Sequence, residues 1–126
     1  MKKIFINCTN NNLWLSDVQA SFVYRPENQV GSLGDVVQLR CSSSDSKSTL
    51  YWLEHPKKDT GNYIARGHQQ ICGPRIAQQV VSTVGNYILN LTLNALEMGM
   101  RYSCMDQTDT ATYYASAEII VVKGML

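Results

Sequence analysis

Cys41 and Cys104 bracket the middle of this 126-residue chain, with Trp52 following the first cysteine by 11 residues and Tyr102 preceding the second by two. The runs around these residues alternate in polarity. In Val36-Val37-Gln38-Leu39-Arg40-Cys41, Val37, Leu39 and Cys41 share one side while Gln38 and Arg40 take the other. In Tyr87-Ile88-Leu89-Asn90-Leu91-Thr92-Leu93, Tyr87, Leu89, Leu91 and Leu93 share one side, with Asn90 on the other. A period of two predicts strands with one buried face, so the fold expected is all-β. Four cysteines allow three pairings. No C-x-x-C spacing occurs, and neither His55 nor His68 stands at ligand spacing from a cysteine. The cysteines are therefore read as a disulfide framework in an oxidising compartment rather than as a metal site.

The length suits one domain with a full core. Apolar residues make up 44% and charged residues 17%, which excludes a disordered tail or a coiled coil. A net charge of +1 gives no reason to expect nucleic acid or an anionic membrane as partner. No apolar run approaches the roughly 18 residues needed to span a bilayer, so no membrane insertion is expected of this segment. Met1-Lys2-Lys3-Ile4-Phe5-Ile6 opens like a signal peptide, but the apolar run stops at Asn7. The expectation is a mature ectodomain or a piece of a longer chain. Two glycosylation triplets, Asn7-Cys8-Thr9 and Asn90-Leu91-Thr92, favour an extracellular setting. Nothing resembles a nucleophile with its base, a phosphate loop or paired catalytic carboxylates. Glu54 and His55, adjacent in an extended segment, face opposite sides and form no catalytic pair. No enzyme activity, cofactor or metal is expected.

The order Cys41, Trp52, Tyr102-x-Cys104 resembles the pin of an immunoglobulin domain, and residues 20–123 are similar to the variable type. The resemblance implies a β-sandwich of two antiparallel sheets. It places a Cys41–Cys104 disulfide across the core, Trp52 packed on that bridge, and Tyr102 bonding back to the chain near the E–F corner. Cys8 is then left to pair with Cys72, or one of the two pairs with a second chain. Residues 1–18 are read as an N-terminal extension and 19–126 as the domain. In the extension, Ile4-Phe5-Ile6 suggests a short strand, and Trp14 and Leu15 need cover. The extension is expected to pack on its own domain, held by Cys8, rather than to reach a partner.

In family terms, Val18 to Arg25 is strand A, broken at Pro26, and Gly31 to Asp35 the turn into strand B. Leu50 to Pro56 is strand C, Asn62 to Ala65 strand C′, Pro74-Arg75 the start of D, and Ala117 to Val122 strand G. The serine-rich run from Ser42 to Thr49 is the first complementarity-type loop, read as solvated. With Trp52 inward, Tyr51, Leu53 and His55 point to the outer face of the G-F-C-C′ sheet, where variable domains pair or dock. Met105 to Ser116 is read as the rest of strand F and the third loop. There Asp106 and Asp109 supply charge, and Tyr113-Tyr114 either recognise a ligand or open strand G. Tyr51, Leu53, His55, Met105, Tyr113 and Tyr114 are the expected partner-binding residues. A glycan on Asn90 would cover the opposite sheet and leave G-F-C-C′ bare. Ile119-Ile120-Val121-Val122 is apolar on both faces, so cover by a partner or by the N-terminal arm is expected.

Two departures qualify the resemblance. Met98 and Met100 stand where the family's corner aspartate and small residue belong, which removes the aspartate partner of Arg75. Strand G lacks the Phe/Trp-Gly-x-Gly bulge of rearranging antigen receptors, which argues against an antibody or T-cell receptor domain. The resemblance thus implies the recognition domain of an immune-type cell-surface receptor or co-receptor, binding a protein and able to pair through G-F-C-C′. A secreted or viral decoy and a structural pairing subunit are the other readings.

Overall fold

A computed structural model describes residues 8–10, 22–57, 60–72, 78–94 and 99–122, which form strands joined by turns. The strands are β1 (Thr9–Asn10), β2 (Phe22–Tyr24), β3 (Gln29–Ser32), β4 (Val36–Ser43), β5 (Thr49–Lys57) and β6 (Thr60–Arg66). They continue as β7 (Gln69–Gln70), β8 (Gln78–Thr83), β9 (Asn86–Thr92), β10 (Arg101–Gln107) and β11 (Thr112–Val122). One sheet runs β1-β6-β5-β10-β11-β3 with β7 hairpinned on β6, and the other runs β2-β4-β9-β8.

The chain enters the smaller sheet as β2 and leaves it at Arg25-Pro26 to reach β3 in the larger one. Proline lacks the N–H that a continuous strand would donate, so the switch falls there. β3 runs parallel to β11, pairing Val30 with Ile120, so the larger sheet is mixed rather than wholly antiparallel as expected from sequence. The turn after β3 is shorter than the sequence suggested, because Gly31 and Ser32 stay in the strand. Gly31 has a packing reason. A Cβ there would meet Leu93 Cδ1 at 2.6 Å. The Asp35 carboxylate accepts from Ser32 N at 2.8 Å, and Gly34 N bonds Leu93 O at 2.8 Å, tying this turn to the end of β9.

The core lies between the sheets. Leu39, Leu89 and Leu91 of the smaller sheet meet Trp52, Tyr102 and Ile119 of the larger one, all fully buried. Burial stabilises each such aliphatic side chain by about 2 kcal/mol relative to exposure. Cys41 and Cys104 join the sheets with Cα atoms 6.4 Å apart. Trp52 stacks on Tyr87 with centroids 5.5 Å apart and an interplanar angle of 19°. The Tyr102 hydroxyl accepts from Gln78 Nε2 at 3.2 Å, and the same nitrogen donates to Glu54 Oε2 at 2.7 Å. This ties β10 and β5 to β8 across the sandwich.

Cys8 pairs with Cys72, with Cα atoms 5.7 Å apart. Just beside it, β1 adds to β6 through Thr9↔Asn62 and Asn10↔Gly61, and Tyr63 N bonds Cys8 O at 2.7 Å. Residues Cys8–Asn10 thus sit on the domain as an added edge. The two disulfides span 64 and 63 positions, and each stabilises the fold by about 4 kcal/mol through the lost freedom of the unfolded chain. Ile4-Phe5-Ile6, Asn7, Trp14, Leu15, Arg75 and Met98 lie outside the described residues.

Candidate interaction face

Register in β5 and β10 decides which side chains share the outer face of the larger sheet. Cys104 faces the core, so Arg101, Ser103 and Met105 face outward. They stand opposite His55, Leu53 and Tyr51 of β5. On the other flank Met105 pairs with Tyr114 and Ser103 with Ser116. A bulge between Trp52 and Leu53 brings Tyr63 of β6 opposite Leu53. Side chains from four strands therefore converge on one patch.

The patch is a second apolar cluster. Leu53 and Met105 form its centre, 0% and 3% exposed, and Tyr51, Tyr63 and Tyr114 pack against them. Tyr51 and Tyr63 meet at 5.9 Å and 58°, a tilted aromatic pair. The Tyr51 hydroxyl donates to Gln107 Oε1 at 2.9 Å. Burial raises the Tyr114 phenol above its ordinary pKa, and the nearby Tyr63 adds to the shift. The accessible layer of the face is thus tyrosine, laid over buried aliphatic groups.

On the same face runs a buried polar chain. His55 Nδ1 lies 3.2 Å from Thr60 O, His55 Nε2 2.6 Å from Ser103 Oγ, and Ser103 Oγ 3.0 Å from Ser116 Oγ. A carbonyl can only accept, so Nδ1 carries the proton and Nε2 accepts from the Ser103 hydroxyl, which itself accepts from Ser116. Burial lowers the His55 pKa to about 4. The Thr60 bond opposes that shift and Arg101 adds to it. A serine oxygen 2.6 Å from an imidazole nitrogen has the spacing of a nucleophile and its base. Ser103 is 0% exposed and His55 4%, so no substrate reaches the pair and it acts as a buried tether.

The sequence places Tyr51, Leu53 and His55 on this face and Met105 at the start of the strand F and third-loop segment; the register sets all four on the outer face. The expectation that Leu53 and His55 are exposed contacts is corrected. Leu53 is buried with Met105 under Tyr51, Tyr63 and Tyr114, and His55 is buried with hydrogen bonds to Thr60 and Ser103. The third loop is corrected as well. β10 and β11 extend far enough that the connection is Thr108–Ala111, closed by Thr108 N to Ala111 O at 2.8 Å. Tyr113 and Tyr114 both lie in β11, on opposite faces, with Tyr114 on the outer one. Asp106 is fully buried in β10 and is not part of the loop.

Tyr63, Ser103 and Ser116 were missed. Counting parity back from Cys104 places Ser103 outward, but Tyr63 depends on a bulge that no local pattern announces. The face continues to the sheet edge, where Val30, Ile120 and Val122 are 61%, 44% and 43% exposed. Asn90 lies on the outer side of the smaller sheet, where its Oδ1 accepts from Gln38 Nε2 at 3.1 Å. That bond leaves the amide nitrogen, the atom a glycan would take, unused.

Two stacked sheets pinned by a buried disulfide against a tryptophan define an immunoglobulin-like β-sandwich. Comparison with solved structures finds the same fold in two crystal structures of the titin M10–obscurin-like 1 immunoglobulin complex. The one carrying a point mutant aligns with a TM-score of 0.60 at 19% identity, over 83% of this chain and 94% of that one. The other aligns with a TM-score of 0.60 at 17% identity, over 83% and 95%. No protein-family model and no curated protein matches the sequence.

Proposed function

We propose that this chain is an extracellular, variable-type immunoglobulin domain that recognises a protein partner through the outer face of its larger sheet. The domain would span residues 19–126, with 1–18 as an arm packed against it. The observation that carries the reading is the layer of Tyr51, Tyr63 and Tyr114 packed over Leu53 and Met105; exposed Ile120, Val30 and Val122 lie farther along the same face, beyond Ser116 and Glu118. Tyrosine suits recognition because it offers a large amphipathic contact at low entropy cost. The β6–β7 hairpin and the parallel β3–β11 pairing support the variable type. Two disulfides favour an oxidising compartment, and no helix among the described residues is long and apolar enough to cross a membrane. The similar structures are themselves named as complexes of immunoglobulin domains, which agrees with a binding role. Without the receptor-type G-strand motif, an immune-type receptor or co-receptor with an unrearranged domain is the class that fits.

The test is staining of a leukocyte panel with tetramerised domain. Tyr114→Arg is expected to abolish staining and Val84→Arg, in the exposed β8–β9 turn, to preserve it. Equal staining by both variants would remove the outer face from consideration.

A further inference from the structure

The outer side of the smaller sheet carries a motif that the interaction face does not use. Asn90-Leu91-Thr92 is an acceptor triplet for an N-linked glycan, and it lies within β9. Leu89 and Leu91 are fully buried, so alternation along the strand turns Asn90 and Thr92 outward. A sugar on Asn90 leaves the core packed, whereas at either neighbouring position it would have to enter the core.

The surroundings of Asn90 define where such a sugar lies. Gln38 of β4 and Gln79 of β8 stand opposite it, both exposed. Asn90 Oδ1 accepts from Gln38 Nε2 at 3.1 Å. A side-chain amide is planar, with its oxygen and nitrogen on opposite sides of the Cβ–Cγ axis, so Nδ2 turns away from β4, toward β8 and solvent. On that side Val81 is exposed, and as the diagonal neighbour of Asn90 it lies about 7–8 Å away. β8 is also the last strand of its sheet among the described residues. An edge strand invites pairing with another chain unless charge, proline, a bulge or cover prevents it. Gln78-Gln79-Val80-Val81-Ser82-Thr83 holds neither charge nor proline, and its pairing with β9 runs without a bulge. Cover is the device left.

We propose that Asn90 is N-glycosylated and that the glycan runs from it over Gln79 and Val81, past the β8 edge. This modification rests on the extracellular reading, because the donor is met in the secretory route. The donor class is an oligosaccharide joined to a lipid through a diphosphate. The bond from Nδ2 to the anomeric carbon forms as the bond from that carbon to the diphosphate oxygen breaks. Lipid diphosphate leaves with the electron pair, and one amide proton passes to solvent. Oδ1 takes no part, so its bond to Gln38 survives.

The experiment sends the full chain through the secretory route of human cells and digests the total pool, secreted and retained. Peptide N-glycosidase in heavy-oxygen water converts each glycosylated asparagine to labelled aspartate. Label is expected at Asn90 in most chains. Thr92→Val, an exposed change that removes the triplet, is expected to lose it. An endoglycosidase that leaves one N-acetylglucosamine on Asn90 then tests where the sugar lies. Methyl spectra are compared with those of the unmodified chain made in an oxidising bacterial compartment. Val81 is expected to shift, and Val84, in the exposed β8–β9 turn, to stay in place. A bare Asn90, label at Asn7 alone, or an unmoved Val81 beside a modified Asn90 overturns the assignment. Secretion with both disulfides formed and Asn90 bare would overturn the glycan alone, whereas disulfides that fail to form there would count against the extracellular reading.

Discussion

The two outer faces of the sandwich obey different rules. On the smaller sheet, four outward side chains form a polar lattice beside exposed Val36 and Val81. Gln38 bonds Asn90, Arg40 bonds Asn86, and the Arg40 guanidinium lies over the Tyr24 ring at 3.6 Å. That is the alternation expected of an antiparallel sheet with one face in water. On the larger sheet the outward positions bury Leu53 and Met105 beneath three tyrosines, and a buried histidine–serine chain runs on the same face. A sheet that needed only solvation on that side would have no use for a second apolar layer. Exposure on a sheet face is thus decided by neighbouring strands as much as by alternation.

The largest effect should come from placing the same charge on each face. Leu53→Asp puts a carboxylate under the tyrosines and is expected to cost about 4 kcal/mol or more. Val81→Asp, outward on the smaller sheet, is expected to stay within about 1 kcal/mol. Urea denaturation measures both, and equal losses would erase the contrast.

The pH response should be nearly as large and should belong to the larger sheet. His55 titrates at about 4 when folded and near 6.5 when unfolded, so the unfolded state takes up the proton first. Its contribution is complete above about 6.5 and is lost as pH falls toward 4, by about 3 kcal/mol in all. Denaturation midpoints across that window should fall in the parent domain and be flatter in His55→Gln. A parent midpoint that holds steady down to pH 4 would show that the histidine is not buried as described.

Smaller still is the effect of one phenol. Tyr51→Phe removes the bond to Gln107 and should cost about 1 kcal/mol. Gln38→Leu, which breaks the exposed bond to Asn90, should change stability by less than that. A reversal of this order would mean that the smaller sheet's polar lattice contributes more than the aromatic layer.

Much of this was legible in the sequence because it rested on period and spacing. The alternation from Val36 to Cys41 and from Tyr87 to Leu93 predicts strands with one buried face, and the resemblance carried by Cys41, Trp52, Tyr102 and Cys104 implies the two sheets and the side to which Tyr51, Leu53 and His55 point. What could not be read depended on neighbours distant in sequence. Leu53 is buried because a bulge brings Tyr63 beside it and β10 brings Met105. The sequence leaves Tyr113-Tyr114 either in the third loop or at the opening of strand G, and pairing with Asp106 and Met105 puts both in the strand, which begins at Thr112. The parallel β3–β11 contact leaves no period at all. Of the serines from 42 to 48, Ser44 and Ser46 are exposed as the composition suggests, while Ser42 is buried at the end of β4.

The most direct test of the outer face is site-specific photocrosslinking, with a benzophenone side chain at position 114 in one preparation and at position 81 in another. Each would be illuminated on cells that bind the tetramer. The account predicts a crosslinked partner from position 114 and none from 81. A crosslink from position 81 alone would contradict it and place recognition on the polar sheet.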